Sequence, residues 1–138
     1  TFWSERVGYV AALATLGEML KLESWKKISI TGTKMREIWK NTFESAGLDI
    51  GISGIPALSA LTILNENGNT IKTLITQEML KRNILASNIF YPSTAHKDEH
   101  LERYQQNLKE VLENIARYAD IADLLDSRPA QTGFKRLN

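Results

Sequence analysis

The sequence predicts an α+β domain: a small, mostly antiparallel sheet of about three strands with helices packed largely on one face, preceded by a long helix. Three observations lead to this prediction. Segments with apolar residues at three- and four-residue steps lie near both ends of the chain, shorter β-branched segments lie between them, and turn residues separate the two kinds. The resulting order is helix, helix, strand, strand, helix, strand, helix, which is typical of a two-layer α+β fold.

Two helices are predicted in the first third of the chain. Residues 4–22 form the first helix, with Ser4 as its N-cap and with many glycines and alanines along its length. Residues 24–46 form the second, which Gly47 ends in a left-handed conformation. The second helix has one stripe at helical spacing that we expect to be buried: Trp25, Ile28, Gly32, Met35, Trp39 and Phe43.

Two short strands are predicted to follow the helices. Residues 49–53 and 57–64 carry the alternating apolar pattern of half-buried strands, and Gly54-Ile55-Pro56 joins them. Residues 65–69 contain an Asn-Gly pair, which is typical of a tight turn. The sequence therefore predicts a pair of strands that ends in a turn before the next element.

A short helix and a third strand complete the middle of the chain. The helix covers residues 70–82, with Glu78 and Arg82 as an i,i+4 ion pair and Asn83 as its C-terminal cap. We expect three of its residues to face the core: Leu74, Met79 and Leu80. Residues 84–91 are predicted to form the third strand, which Pro92 ends.

The last long helix is predicted over residues 97–118. Its buried stripe is expected to consist of Leu101, Tyr104, Leu108, Val111, Leu112 and Ile115. Residues 121–125 are predicted to add a further turn. We accordingly divide the chain into a leading helix (residues 1–22), an α+β domain (23–126) and a polar, irregular tail (127–138).

Composition excludes several classes of function. The 138 residues include 17 basic and 16 acidic side chains, so the formal net charge is +1, which argues against a nucleic-acid or membrane module. No apolar run approaches the ~20 residues of a membrane span. The chain has no cysteine, which excludes disulfides, thiolate chemistry and cysteine-bound metal and fits the cytoplasmic location that we expect.

One motif raises the question of a metal site. His96, Glu99 and His100 match the H-x-x-E-H pattern of some zinc proteases. Asp98 suits the first turn of the last helix, so we expect His96 to lie outside that helix, whereas zinc-binding histidines of this type sit one helical turn apart. We interpret the motif as an ordinary helix N-terminus and expect no metal, with a zinc hydrolase as a remote alternative. The residues alone predict no complete active site.

Several stretches together resemble one enzyme family. They are residues 1–8 (TFWSERVG), residues 76–87 (TQEMLKRNILAS), residues 92–96 (PSTAH) and the ending at 133–137 (GFKRL). In content and order they resemble the C-terminal part of class III, fold-type I aminotransferases that depend on pyridoxal 5'-phosphate (PLP). The branch they most resemble contains the glutamate-1-semialdehyde 2,1-aminomutases, and the ending is similar to members associated with surface polysaccharides.

This resemblance implies an architecture and a cofactor. Residues 1–22 would be the helix that links a large domain to this small domain, and the full-length enzyme would be a homodimer. The PLP-binding lysine and the aspartate at the pyridine nitrogen would lie in the missing large domain, so this piece would be inactive alone. The matching threonine in the family contacts the PLP phosphate, usually from the neighbouring subunit, which implies a cofactor-binding role for Thr1.

The resemblance leaves the substrate open between two reactions. Phe90, Tyr91 and Ser93 are the residues that we expect to face a substrate, an amine or a carbonyl compound of small size. Residues 88–93 are shorter than in tetrapyrrole-pathway aminomutases and contain no acid. We therefore keep two alternatives of equal standing: an aminomutase, and a transaminase that acts on a sugar or another carbonyl compound.

A second interpretation is a non-catalytic binding or oligomerisation module with the same fold. The enzymatic interpretation makes one structural prediction that bears on this choice. It predicts an exposed apolar face on the first helix, because the large domain would cover that face, and self-association of the isolated chain through it.

Overall fold

The computed structural model describes residues 4–118 and 120–131. In chain order the elements are α1 (Arg6–Leu22), α2 (Ser24–Ser45), β1 (Ile50–Ile55), β2 (Leu58–Ile63), α3 (Gly68–Lys81), β3 (Ile89–Phe90), α4 (Asp98–Ile115) and a 3-10 turn (Ala122–Leu124). The predicted order of helices and strands is confirmed.

The three strands form one antiparallel sheet in the order β1-β2-β3. β1 and β2 make a hairpin whose last pair is Ile55 with Leu58, so the chain turns through Pro56 and Ala57. Along β2 the side chains alternate: Ser59 and Leu61 are buried, whereas Leu58 is exposed. One face of the sheet is therefore covered by helices, which confirms the predicted α+β class.

α2 crosses the covered face of the sheet. Its predicted stripe is confirmed from its middle onward by four buried residues: Gly32, Met35, Trp39 and Phe43. Trp25 was expected in this stripe, but its side chain is 40 % exposed, so the buried stripe does not extend to the first turn of α2. Gly47 follows the helix with φ 70°, the left-handed conformation that was predicted for it.

α3 and α4 close the core against α2 and the sheet. The predicted α4 stripe is confirmed, with Tyr104 half-buried and the others buried. In α3, Leu74 and Met79 are buried as predicted, together with Ile71 and Ile75. The prediction for Leu80 is wrong: it is 58 % exposed, since it lies one residue round the helix from Met79 and so points outward.

The third strand is much shorter than predicted. Only Ile89 and Phe90 pair with β2, opposite Ala60 and Ser59. Residues 84–88 alternate in burial, with Ala86 buried and Leu85 91 % exposed, but among them only Asn88 bonds to β2, where its carbonyl accepts from the Leu61 N–H. They cover the helices instead of extending the sheet.

The polar tail lies along one side of α3. Four α3 side chains spaced four residues apart bind it: Asn69, Thr73, Gln77 and Lys81. Gln77 donates to the carbonyl of Leu124 (3.0 Å) and accepts from the backbone N–H of Asp126 (2.8 Å). We call these four residues the α3 ladder. Residues 125–130 have no regular secondary structure and are held by these contacts, whereas residues 132–138 of the predicted tail (127–138) lie outside the described residues.

α1 stands apart from the core. Its N-cap is Glu5, so the prediction of Ser4 is wrong, and Glu23 in left-handed conformation (φ 47°) turns the chain into α2. None of its residues is buried. Within residues 4–118 and 120–131, no helix combines the length and hydropathy that crossing a bilayer requires.

Candidate functional site

A cavity of about 370 Å³ lies between α2, α4 and the segment that leads through β3 into α4. Its inner wall is apolar: Met35 and Trp39 from α2 and Leu101 from α4 are each buried. Ile84 and Phe90 complete this wall from the connecting segment. The volume falls in the range of small-molecule pockets, so this cavity is the candidate site.

A hydrogen bond between two aromatic side chains lies in the wall of the cavity. Trp39 Nε1 donates to the hydroxyl oxygen of Tyr104 at 2.9 Å and so joins α2 to α4. Burial raises the pKa of Tyr104 to about 12, because the phenolate would lose its hydration, although the hydrogen bond from Trp39 works in the opposite direction. Tyr104 is therefore a neutral hydroxyl at physiological pH.

Ser93 and His96 form a tight turn at the mouth of the cavity. The Ser93 backbone N–H donates to His96 Nδ1 at 3.0 Å, and the Ser93 hydroxyl lies 3.0 Å from the same nitrogen. The rings of Phe90 and His96 pack edge to face, with centroids 5.1 Å apart and an interplanar angle of 72°. Because Nδ1 accepts from the backbone, the neutral ring carries its hydrogen on Nε2.

The second histidine has the same arrangement one turn later. His100 Nδ1 accepts from the Lys97 backbone N–H at 3.1 Å, which satisfies a free donor at the start of α4. α4 begins at Asp98, so His96 lies outside the helix, as predicted. Among residues 4–118 and 120–131, no three His, Asp or Glu side chains are grouped as metal ligands. The H-x-x-E-H pattern is, in this fold, the capped entrance of α4.

A second cavity, of about 230 Å³, lies on the other side of Tyr104, which lines both. Lys72, Asn69 and Asn88 are among its polar lining residues, which also include hydroxyl side chains. Asn69 donates through Nδ2 to the Ala130 carbonyl, while its Oδ1 is buried without a partner among the described residues. Ala130 of the tail thus lies beside this cavity.

The structure brings together two of the expected substrate-side residues. Phe90 and Ser93 line the larger cavity, whereas Tyr91 does not and is 66 % exposed. Thr1, expected at the PLP phosphate, lies outside the described residues, as does the GFKRL ending. Trp39 and Tyr104 were expected only as core residues. Their apolar stripes were visible in the sequence, but nothing in it indicated that the two stripes meet at a cavity.

The described residues do not make a PLP site by themselves. PLP needs a lysine for its covalent attachment and an acid at its pyridine nitrogen. Neither cavity is lined by an Asp or Glu residue in the part of the chain that the structure describes, and Lys72 is the sole lysine there that lines either one. The cofactor chemistry implied by the resemblance would need residues from elsewhere.

Comparisons with known proteins support the fold. No protein-family profile matches the chain, and no curated protein sequence matches it either. Among solved structures, the chain is similar to an omega-transaminase from Sphaerobacter thermophilus, with a TM-score of 0.59 and 14 % sequence identity. The likeness covers 67 % of this chain and 24 % of the transaminase chain. The chain therefore has a fold that occurs as about a quarter of a transaminase.

Proposed function

We propose that this chain is the small domain of a PLP-dependent aminotransferase-type enzyme that transfers an amino group between small amine and carbonyl compounds. The observation that carries the proposal is the likeness in fold to the transaminase over 67 % of this chain. The order and content of residues 76–87 and 92–96 support it from the sequence. On this proposal the piece is inactive alone, and the lysine that holds PLP lies in another part of the enzyme.

The exposure of α1 supports the same proposal. Eight large apolar side chains of this helix are between 38 % and 71 % exposed: Val7, Tyr9, Val10, Leu13, Leu16, Met19, Leu20 and Leu22. So much exposed apolar surface on one helix is unfavourable in water unless another body covers it. A large domain packed on α1, in a cytoplasmic homodimer, would provide that cover.

Two specific reactions are candidates within this class of enzyme, an aminomutase and a transaminase. The glutamate-1-semialdehyde aminomutase version rests on the resemblance, while the absence of an acid from residues 88–93 favours a transaminase with a different carbonyl substrate. We therefore favour the transaminase.

The test uses the full-length product of the gene that encodes this chain. PLP is added, the complex is reduced with borohydride, and the modified peptide is located by mass spectrometry. We expect one stoichiometric PLP on a lysine outside these 138 residues, and amino transfer from an amine to a keto acid. A full-length product that takes up no PLP would contradict the proposal.

A non-catalytic module is the second candidate. The observation that favours it is that neither cavity of the described residues holds the groups that PLP requires. The same experiment separates the two candidates, because such a module would bind partners through α1 and would take up no PLP.

A further inference from the structure

The polar side chains that line the larger cavity include one cation and, among the described residues, no anion. No Asp or Glu residue lines it within the described part of the chain, and the one lining side chain with a permanent charge is the guanidinium of Arg103. Arg103 uses one N–H to bind the carbonyl of Arg82 at 3.0 Å. Its remaining donors are available to another acceptor.

Tyr104 adds a donor from the wall of the cavity. Its oxygen accepts from Trp39, and its own hydrogen has no acceptor among the described residues. A buried hydroxyl that accepts but does not donate leaves part of its hydrogen-bonding capacity unused. The raised pKa of Tyr104 keeps that hydrogen in place at physiological pH.

The two histidines add donors of fixed identity. Backbone N–H groups occupy Nδ1 of both His96 and His100, which leaves Nε2–H as the free edge of each neutral ring. His100 Nε2 lies 3.8 Å from a Glu99 oxygen, whereas His96 Nε2 has no hydrogen-bond partner among the described residues. The cavity therefore presents donors of different kinds and no anionic acceptor.

We propose that this cavity binds a small apolar carboxylic acid, with its apolar body against Met35, Trp39 and Phe90 and its carboxylate toward Arg103, His96 and Tyr104. A carboxylate enters a partly buried site only where charge and donors replace its water, and an arginine with hydroxyl and imidazole donors does so. The inference goes beyond the proposed function, because it uses only residues of this chain and requires no PLP.

The experiment is a titration of the 138-residue chain, without PLP, by phenylacetate and by its neutral isostere phenylacetamide. Two-dimensional ¹H–¹⁵N spectra report the Trp39 indole N–H and the backbone amides of Ser93 and Lys97. We expect saturable shifts of these signals with the acid, and binding of the amide that is weaker by roughly tenfold or more.

Two variants and a control locate the carboxylate. Arg103→Gln should weaken phenylacetate binding roughly tenfold, and Tyr104→Phe by several-fold, because each removes a donor. Arg117→Gln removes the same charge just beyond the end of α4, away from the cavity, and should leave the affinity unchanged. Arg103 is exposed, so its variant is expected to fold.

Several outcomes would overturn the inference. Equal affinities for the acid and the amide would show that no anion is recognised. Shifts confined to α1, or an equal loss in Arg103→Gln and Arg117→Gln, would place the effect elsewhere or assign it to overall charge. The absence of saturable shifts would remove the site altogether. Uptake of PLP by the full-length product is independent of each of these results.

Discussion

Gly32 is the residue at which α2 and the sheet approach most closely. A Cβ atom built on it would overlap the backbone carbonyl of Pro56, which is the first residue of the β1–β2 turn. The overlapping group is backbone, so it cannot rotate out of the way as a flexible side chain could. The close packing of helix on hairpin therefore depends on the absence of a side chain here.

Replacing this glycine should destabilise the fold. We expect Gly32→Ala to lower the free energy of unfolding by about 2–3 kcal/mol, since α2 must move away from the hairpin. Gly17→Ala is the matched control, because nothing lies within 4 Å of the Cβ position in the middle of α1. Chemical denaturation of both variants measures the difference, and equal midpoints would contradict the packing argument.

Glu78 makes stability depend on acid pH. Hydrogen bonds from Lys81 above all, and also from Gln77 and Arg82, lower the pKa of its carboxyl from 4.5 to about 2, although partial burial opposes this. The folded-state pKa lies below the unfolded value, so Glu78 stabilises the fold fully above about pH 4.5 and loses this effect as the pH falls toward 2.

Glu78→Gln should therefore be less stable than the natural chain by about 1 kcal/mol at neutral pH, with a gap that narrows between about pH 4.5 and 2. Urea denaturation at a series of pH values measures this gap. Glu113→Gln is the control, since the one ion pair of Glu113 within the described residues is with Lys109 at 3.9 Å on the surface. A gap independent of pH would rule out the carboxylate as the cause.

At the residue scale, the sequence predicts contacts between near neighbours in the chain better than contacts between distant residues. The Glu78–Arg82 pair was predicted from i,i+4 spacing and is present at 3.1 Å. The Trp39–Tyr104 hydrogen bond was not predicted, because the partners are 65 residues apart and only the crossing of α2 and α4 brings them together. Local spacing determines the first kind of contact, and tertiary packing the second.

Among the elements, the α3 ladder shows how a polar segment becomes ordered. Leu125 packs against the core, and the residues that follow it are mostly polar. Backbone groups of this segment form hydrogen bonds with side chains spaced four residues apart on α3. The ion pair between Lys81 and Asp126, at 3.0 Å, adds a charged contact.

Gln77 is the ladder position with two tail contacts, so Gln77→Ala should release the tail. We expect faster hydrogen exchange of the Asp126 and Ala130 amides and a loss of about 1 kcal/mol in stability. Thr76→Ala is the control, because in the described part of the chain the Thr76 hydroxyl bonds to the Lys72 carbonyl of α3 and to no tail residue. Unchanged exchange at Asp126 in the first variant would mean that Gln77 does not hold the tail.

The third strand shows what element prediction could not provide. The sequence of residues 84–91 (ILASNIFY) does not alternate apolar and polar residues, although their positions alternate between more buried and more exposed. A strand also requires a neighbour, and β2 pairs with Ile89 and Phe90 and otherwise reaches this segment through the Leu61 N–H, which donates to the Asn88 carbonyl. The predicted strand is therefore right at Ile89 and Phe90 and too long over the rest of the segment.

For the whole molecule, α1 governs behaviour in solution. Its exposed apolar side chains should drive self-association of the isolated chain. We expect Val10→Lys with Leu13→Lys to reduce this association strongly in sedimentation velocity, while Leu85→Lys, at a leucine exposed elsewhere, reduces it little. A natural chain that stays monomeric at high micromolar concentration would contradict this prediction.

The bond between Trp39 and Tyr104 also makes the core observable by optical methods. The indole is nearly inaccessible to water, with 1 % exposure, and its N–H has a fixed partner, so its emission should be shifted to the blue relative to that of the 40 % exposed Trp25. Tyrosine emission is readily absorbed by a tryptophan in contact with it. Light absorbed by Tyr104 should thus reappear as Trp39 fluorescence while α2 and α4 stay together, which gives the folded core an intrinsic signal without an added dye.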